Sequence, residues 1–324
     1  MGYWRIKANM HKRRQIRSVG GNSRCSKFNW AELYLDYTKK LGHKHLGNED
    51  AVSTLAALCA SHVLRLRHDP LEVVAPRCLI IGGTGSGKSQ LVELAMGLLE
   101  NIPRIYINAS VLAPIAYKGV DLSDCFQSIL SSAKADRQNC IHNTAVSLEE
   151  FDKLVLRGKG DDFCRSLQLS FLPLLGGEKI LVSPSGEAVG KHRYINSTSS
   201  LVFATGVFQG IPRAALKTPE TARRALVKFG FSREIVGRFT HFITLDKMAP
   251  NQMLNRLRSE IEAVMPLYDL NYGVSAFTDI QLRKIIQKHK VGEFGFRSLR
   301  NDVHQLLFEK AKARAKMSQL GQRV

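Results

Sequence analysis

One stretch of the sequence reads Cys78-Leu79-Ile80-Ile81-Gly82-Gly83-Thr84-Gly85-Ser86-Gly87-Lys88-Ser89. Its first four residues are apolar and predict a short strand, and the apolar residues that follow it recur at helical spacing. The stretch matches G-x-x-x-x-G-K-[ST], in which glycines let backbone N–H groups point at the phosphates of a nucleotide and the helix N-terminus adds its dipole. It therefore predicts a strand, a phosphate-binding loop and a helix.

This loop predicts a site for ATP and Mg²⁺. Lys88 is expected to reach the β- and γ-phosphates, and Ser89 to ligate the metal. The other candidate cofactor-binding residues of the loop are Gly82, Gly83, Thr84, Gly85, Ser86 and Gly87.

Such a loop also needs a neighbouring strand that ends in acidic residues, which hold the metal and activate water. The segment 145–150 predicts a strand that ends in two carboxylates. Glu149 takes the metal-side role, although aspartate is commoner there, and Glu150 takes the role of general base. The alternative is that both are solvated residues at a helix start.

Further apolar segments at 105–107, 201–205 and 241–245 complete a parallel sheet that alternates with helices. Thr205 ends its strand where a γ-phosphate sensor is expected, although a strand-terminal threonine often has no function. Helical periodicity follows at 253–265, 279–289 and 297–315. The sequence thus predicts an α/β fold with a flanked parallel sheet, divided into an arm (1–40), a large α/β domain (41–246) and a small all-α domain (247–324).

The composition excludes several classes of protein. The 324 residues are 44% hydrophobic and 23% charged, which is typical of a folded globular chain. No apolar run approaches the ~20 residues that cross a bilayer, so no membrane is expected as a partner. Neither a zinc knuckle nor a disulfide scaffold is indicated, because the six cysteines include no C-x-x-C pair.

Charge is concentrated at the start of the chain. The net charge is +19, and residues 1–30 carry eight Lys or Arg and no acidic residue. We interpret this stretch as a flexible basic arm. It is either a solvated tail, or an organellar transit peptide, or a segment that binds nucleic acid. The aromatic residues available to stack on bases are Tyr3, Trp4, Phe28 and Trp30.

The motifs together resemble those of the ClpX-type AAA+ protein unfoldases over residues 41–315. The matching segments are 46–51 on the adenine side, the loop 81–89, the acidic box 149–154, and the pair of segments 228–231 and 235–239. The resemblance implies an ATP hydrolase that forms a homo-hexamer and acts on polypeptide substrates. It implies a P-loop AAA+ domain followed by a helical lid domain.

The resemblance also assigns roles to individual residues. It makes Arg238 an arginine finger that reaches the nucleotide of the neighbouring subunit, although a surface arginine is the alternative. Tyr117 matches an aromatic residue that grips polypeptide, and Lys191 and His192 match a loop at the channel mouth. The lid-side sensor arginine of the family is Phe294 in this chain, and Arg297 could replace it only if the helix start shifts.

Two parts of the family pattern have no counterpart in this sequence. The first 40 residues contain one cysteine and so cannot supply the zinc-binding N-domain, and the peptidase-docking insertion between Thr205 and Lys228 is absent. The leading hypothesis is a cytoplasmic ring ATPase that unfolds proteins without a docked peptidase, or a matrix protein if the arm is a transit peptide. The alternatives are a nucleic-acid-linked ATPase, of the plasmid or phage replication or partition type, and a nucleotide switch with little turnover.

Overall fold

The computed structural model describes residues 29–45, 47–65, 74–100, 102–112, 122–126, 144–155, 161–182, 193–268, 277–288 and 291–319. The strands are β1 (Arg77–Gly82), β2 (Arg104–Asn108), β3 (Ala145–Glu149), β4 (Lys179–Val182), β5 (Arg193–Asn196), β6 (Leu201–Gly206) and β7 (His241–Leu245). The α-helices are α1 (Trp30–Lys44), α2 (Glu49–Arg65), α3 (Lys88–Gly97), α4 (Asp161–Ser170), α5 (Leu172–Gly176), α6 (Pro219–Phe229), α7 (Arg233–Gly237), α8 (Pro250–Val264), α9 (Asp279–Lys288) and α10 (Val291–Gln319).

Five strands form one parallel sheet in the order β2-β3-β6-β1-β7. The α/β fold class predicted from the sequence is confirmed. Because the strands are parallel, their carboxyl ends meet at one edge of the sheet, which we call the carboxyl edge, and their starts meet at the opposite, amino edge. The carboxyl edge is where α/β proteins bind ligands.

The sheet is covered on both faces, as its continuous apolar strands require. Leu79 and Ile81 of β1 enter one hydrophobic core, whereas Cys78 and Ile80 enter the other. This alternation follows from the period of two along a strand. In the described part of the chain Cys59 and Cys78 are buried free thiols, Cys125 is buried, and Cys164 is partly buried.

A separate hydrophobic cluster joins α8, α9 and α10, and it extends from Met248 to Leu307. The three helices were predicted, but the predicted start of the last one at Arg297 is wrong. Helix α10 begins at Val291, so Gly292 and Gly295 are inside it. No helix in the described part of the chain is both long enough and apolar enough to cross a membrane.

Two features differ from the sequence prediction. Helix α1 begins at Trp30, within the segment assigned to the flexible arm, and buries Leu33, Tyr37 and Leu41 against its neighbours. Its start is fixed by a capping box between Asn29 and Glu32. The second feature is a two-stranded antiparallel sheet of β4 and β5, which was not predicted.

A fully buried arginine fixes the amino edge of the sheet. The Arg77 guanidinium, at the start of β1, donates hydrogen bonds to the backbone carbonyl oxygens of Ala75, Leu174, Ser197 and Ser200. These carbonyls belong to α5 and to the segments just before β1 and β6. One planar group therefore ties the starts of the two central strands to each other and to a helix.

We predict that Arg77→Met lowers the free energy of unfolding by about 3 kcal/mol or more, because it leaves buried carbonyl oxygens without their donors. The measurement is urea unfolding followed by circular dichroism. Arg224→Met is the matched control, since Arg224 is 76% exposed and pairs with Glu220 on the surface of α6; its effect is expected to be about 0.5 kcal/mol or less. Equal effects of the two substitutions would contradict the structural role of Arg77.

Candidate nucleotide-binding site

The predicted phosphate loop joins the carboxyl end of β1 to the start of α3. Gly85 and Gly87 have φ angles of 76° and 90°, in the left-handed region that favours glycine. Gly87 is the N-cap of α3 and supplies no side-chain cap. The N–H groups of the first helical turn are therefore free of a side-chain acceptor at the N-cap and suit a phosphate group.

Lys88 is folded against this loop. Its Nζ donates to the carbonyl oxygens of Gly82 at 2.6 Å and Gly83 at 3.0 Å. Burial lowers the pKa of the Lys88 ammonium, and the positive charge of Arg297 adds to this effect, whereas the carboxylate of Asp152 opposes it. A phosphate group would add a strong anionic acceptor for this partly buried cation, so the loop fits a nucleotide.

Ser89 and Glu149 form the pair predicted to hold Mg²⁺. Burial raises the pKa of Glu149, and the neighbouring carboxylates of Glu150 and Glu93 raise it further, while a hydrogen bond with the Ser89 side chain lowers it. Among the described residues no three His, Cys, Asp or Glu side chains form a metal cage. One hydroxyl and one carboxylate, completed by phosphate oxygens and water, are a donor set that Mg²⁺ accepts.

Glu150 and Thr205 lie at the same edge. Glu150 directly follows β3 with a φ of 54°, which is unusual for a residue other than glycine. Leu148 pairs with Ala204 in the parallel register, so the next residue on each strand, Glu149 or Thr205, lies at the carboxyl edge. Strand β6 continues to Gly206, one residue beyond the predicted end. The structure thus brings the phosphate loop, both carboxylates and Thr205 together.

Arg297 extends this group from the helical part of the chain. Its charge lowers the pKa values of both Lys88 and Glu149, which places its guanidinium near the loop. The sequence made this role conditional on a shift in the helix start, and α10 does begin six residues earlier, at Val291. Arg297 therefore lies in the second turn of α10, close enough to the phosphate loop for its charge to act on Lys88 and Glu149.

Arg238 lies at the opposite edge of the sheet. It follows α7 and precedes β7, whose first residue, His241, pairs with Cys78, whereas its last, Leu245, pairs with Gly82. The length of β7, about 16 Å at ~3.3 Å per residue, separates Arg238 from the level of the phosphate loop. Its side chain is 45% exposed, and its Nη2 lies 3.8 Å from Oε1 of Glu178. Arg238 is thus not part of the site formed by its own chain.

The sequence analysis missed two buried polar residues beside the loop. His45 is 2% exposed, and its Cε1 would lie 2.8 Å from a Cβ atom at Gly87. Burial and the charge of Arg256 lower the pKa of His45 to about 4, so the ring is neutral. Asp152, within the acidic box, is also 2% exposed. His45 has no sequence signal of its own, whereas Asp152 falls in the matched box but was given no role, because its burial depends on contacts that are distant along the chain.

Several predicted residues lie outside the described residues. They are Tyr117, Lys191 and His192 of the substrate-gripping loops, Leu46 of the adenine-side segment, and the basic stretch up to Phe28. Trp30, one of the aromatic residues proposed to stack on bases, is described. Its ring stacks on Tyr34 with centroids 5.1 Å apart, and its Nε1 donates to Ser61 Oγ.

Comparison with known proteins finds ClpX subunits among the relatives of this chain. No family model matches the chain. The ATP-dependent Clp protease ATP-binding subunit ClpX 2 of Wolinella succinogenes is 24% identical over 295 residues, which are 81% of this chain and 72% of that protein. The ClpX subunit of Bacteroides thetaiotaomicron is also 24% identical, over 88% of this chain and 78% of its own length. The ClpX subunit of Borrelia duttonii is 23% identical over 81% of this chain and 70% of its own length.

These relatives match four fifths or more of the chain. They confirm the resemblance that the motifs indicated. The motifs, the α/β fold and these relatives together show that the chain is similar to the ClpX-type AAA+ ATPases.

Proposed function

We propose that this chain is a ring-forming ATPase that hydrolyses ATP to unfold or remodel protein substrates, and that it acts without a docked peptidase. The observation that carries the proposal is the separation of Arg238 from the phosphate loop of its own chain, at opposite edges of one sheet. A guanidinium that stabilises charge on a transferred phosphoryl group can be supplied by a neighbouring subunit. Arg238 then completes the site of the next copy, which requires an assembly of several copies.

The hydrolytic step is divided among residues of the carboxyl edge. Lys88 binds the β- and γ-phosphates, and Arg297 contacts the γ-phosphate from the lid. Ser89 and Glu149 hold Mg²⁺, which neutralises the charge that develops on the phosphate oxygens. Glu150 orients the attacking water and accepts its proton. Thr205 contacts the γ-phosphate from the end of β6.

The assembly is proposed to be a homo-hexamer, as the resemblance to ClpX-type ATPases implies. Tyr117, Lys191 and His192 are proposed to contact the polypeptide in its channel, where an aromatic ring can push on any chain without reading its sequence.

The absence of a docked peptidase is proposed from one short connection. The relatives are named as subunits of a Clp protease. In this chain residues 207–218, between β6 and α6, hold one 3₁₀ turn (Arg213–Leu216). These twelve residues are too few to include the long insertion by which the family docks on a peptidase.

We predict that Glu150→Gln lowers the rate of ATP hydrolysis by about 10²-fold, because it removes a positioned general base. Steady-state hydrolysis is measured with ATP alone, with an unfolded polypeptide and with duplex DNA at fixed salt. Glu262→Gln, an exposed position on α8, is the control and is expected to match the wild type. Stimulation by polypeptide supports the proposal, whereas stimulation by DNA alone would favour the nucleic-acid alternative, and no turnover at all would favour a switch.

We predict that Arg297→Ala weakens the binding of a non-hydrolysable ATP analogue by about 10-fold and that of ADP much less, because the guanidinium interacts with the γ-phosphate. Fluorescence titration of both nucleotides provides the measurement. Arg300→Ala is the matched control, since Arg300 lies one turn further along α10 and pairs with Glu260 at 3.4 Å. Equal loss of affinity for both nucleotides, or equal effects of the two substitutions, would contradict the role.

We predict that the Arg238→Ala and Glu150→Gln variants are each nearly inactive but regain activity when they are mixed. In a mixed ring some interfaces join an intact Arg238 of one subunit to an intact Glu150 of the next. Hydrolysis by the mixture should therefore exceed the sum of the two separate rates. A mixture that stays at the sum would show that Arg238 does not act across an interface. Arg233→Ala, exposed on α7, is expected to be fully active.

A further inference from the structure

One buried carboxylate beside the phosphate loop has no part in the steps proposed above. Asp152 lies on the 3₁₀ helix Phe151–Leu154, which directly follows Glu150, and it is 2% exposed. Its negative charge acts on Lys88. Burial of a carboxylate lowers the stability of the fold unless the group is paired and hydrogen-bonded, so the partners of Asp152 indicate its role.

The second partner of Asp152 is the turn that follows Thr205. The backbone N–H of Phe208 donates to Asp152 Oδ2, with a distance of 3.4 Å between nitrogen and oxygen. At Gly206, a Cβ atom would lie 2.7 Å from Asp152 Oδ1. The carboxylate therefore packs directly against the backbone of residues 206–208, and a residue with a side chain does not fit at position 206 without displacing it.

The turn at residues 206–208 is strained. Phe208 has a φ of 51°, a left-handed conformation that is an outlier for a bulky residue. Such strain persists only where the surroundings hold it in place. Two contacts do so here: the Phe208 ring packs with Phe229 and Phe231, and its N–H is held by Asp152. The ring contacts fix the side chain, and the carboxylate fixes the backbone.

Asp152 thus joins three parts of the site. Its own 3₁₀ helix directly follows Glu150, the turn that it holds directly follows Thr205, and its charge acts on Lys88. Displacement of the turn would move Thr205 relative to Lys88, while the loop that binds the nucleotide would stay in place. Such a displacement would reduce turnover more than nucleotide affinity.

We propose that Asp152 is a positioning residue for ATP hydrolysis, which holds the turn at residues 206–208 by accepting the hydrogen bond of the Phe208 amide and thereby keeps Thr205 beside Lys88. The inference rests on the proposed ATPase function. It adds a residue that touches neither the nucleotide nor the attacking water.

The first test compares Asp152→Ala with Asp152→Asn. The alanine variant is expected to lose at least about 10-fold and up to about 10²-fold in kcat, with KM for ATP nearly unchanged, because a small misplacement of a contacting group is costly. The asparagine variant keeps an acceptor oxygen and is expected to recover most of the kcat. Asp162→Ala, exposed on α4, is the matched control and should behave as the wild type.

The second test does not need turnover. Hydrogen exchange of the peptide that contains residues 203–209 is measured by mass spectrometry in the nucleotide-free proteins. Exchange is expected to be faster in Asp152→Ala than in the wild type, and close to the wild type in Asp152→Asn. If the alanine variant does not fold, the asparagine variant tests the inference. Its kcat and the hydrogen exchange of its 203–209 peptide must then both stay close to the wild-type values.

Unchanged kcat and unchanged exchange in Asp152→Ala would overturn the inference, and so would an asparagine variant as impaired as the alanine variant. A loss that appears only as a higher KM would also overturn it. Absence of hydrolysis in the wild type would count against the proposed ATPase function instead, and the exchange measurement would still decide whether Asp152 holds the turn.

Discussion

The buried guanidinium of Arg77 is the constraint on which the arrangement of the site depends. It binds four backbone carbonyl oxygens at the amino edge of the sheet. A cation in that position needs no carboxylate, because the carbonyl dipoles provide acceptors in a fixed geometry. With the starts of β1 and β6 tied together there, the parallel register determines where each strand ends. The phosphate loop, Thr205 and Glu149 therefore reach the carboxyl edge side by side.

A cluster of phenylalanine rings packs together several of the segments that follow the strands. Phe151 follows Glu150, and Phe239 follows Arg238. The Phe151 ring stacks on Phe231 with centroids 5.3 Å apart and meets Phe239 edge-on at 5.6 Å. Phe208, in the turn after Thr205, contacts the same cluster through Phe231. Glu150, Arg238 and Thr205, the residues proposed to act in hydrolysis, are thus each followed by a phenylalanine of one packed core, where even a small change in volume disturbs the neighbouring side chains.

The parts of this structure that the sequence predicted are those with local signals. The phosphate loop has a fixed spacing of glycines, and the five sheet strands are short apolar runs with polar ends. The start of α10 was placed too late because Gly292 and Gly295 weaken a helix locally, whereas the packing of Phe296 and Leu299 in the lid core outweighs that cost. The burial of His45 had no local signal, and the acidic box that contains Asp152 did not reveal its contact with Phe208, since both depend on residues that are distant along the chain.

Arg297 would connect a bound nucleotide to helix α10, because its charge acts on Lys88 in the phosphate loop. Lys88 and Arg297 are two cations whose mutual repulsion, together with burial, lowers the pKa of Lys88. A triphosphate between them would turn this repulsion into two attractions, one to each part of the chain. A ligand shifts a conformational equilibrium only by its differential affinity for the two states, and under the proposed function the γ-phosphate would provide that difference. Because Arg297 is part of α10, which spans Val291–Gln319, the proposed contact with the γ-phosphate would couple the bound nucleotide to the position of this helix.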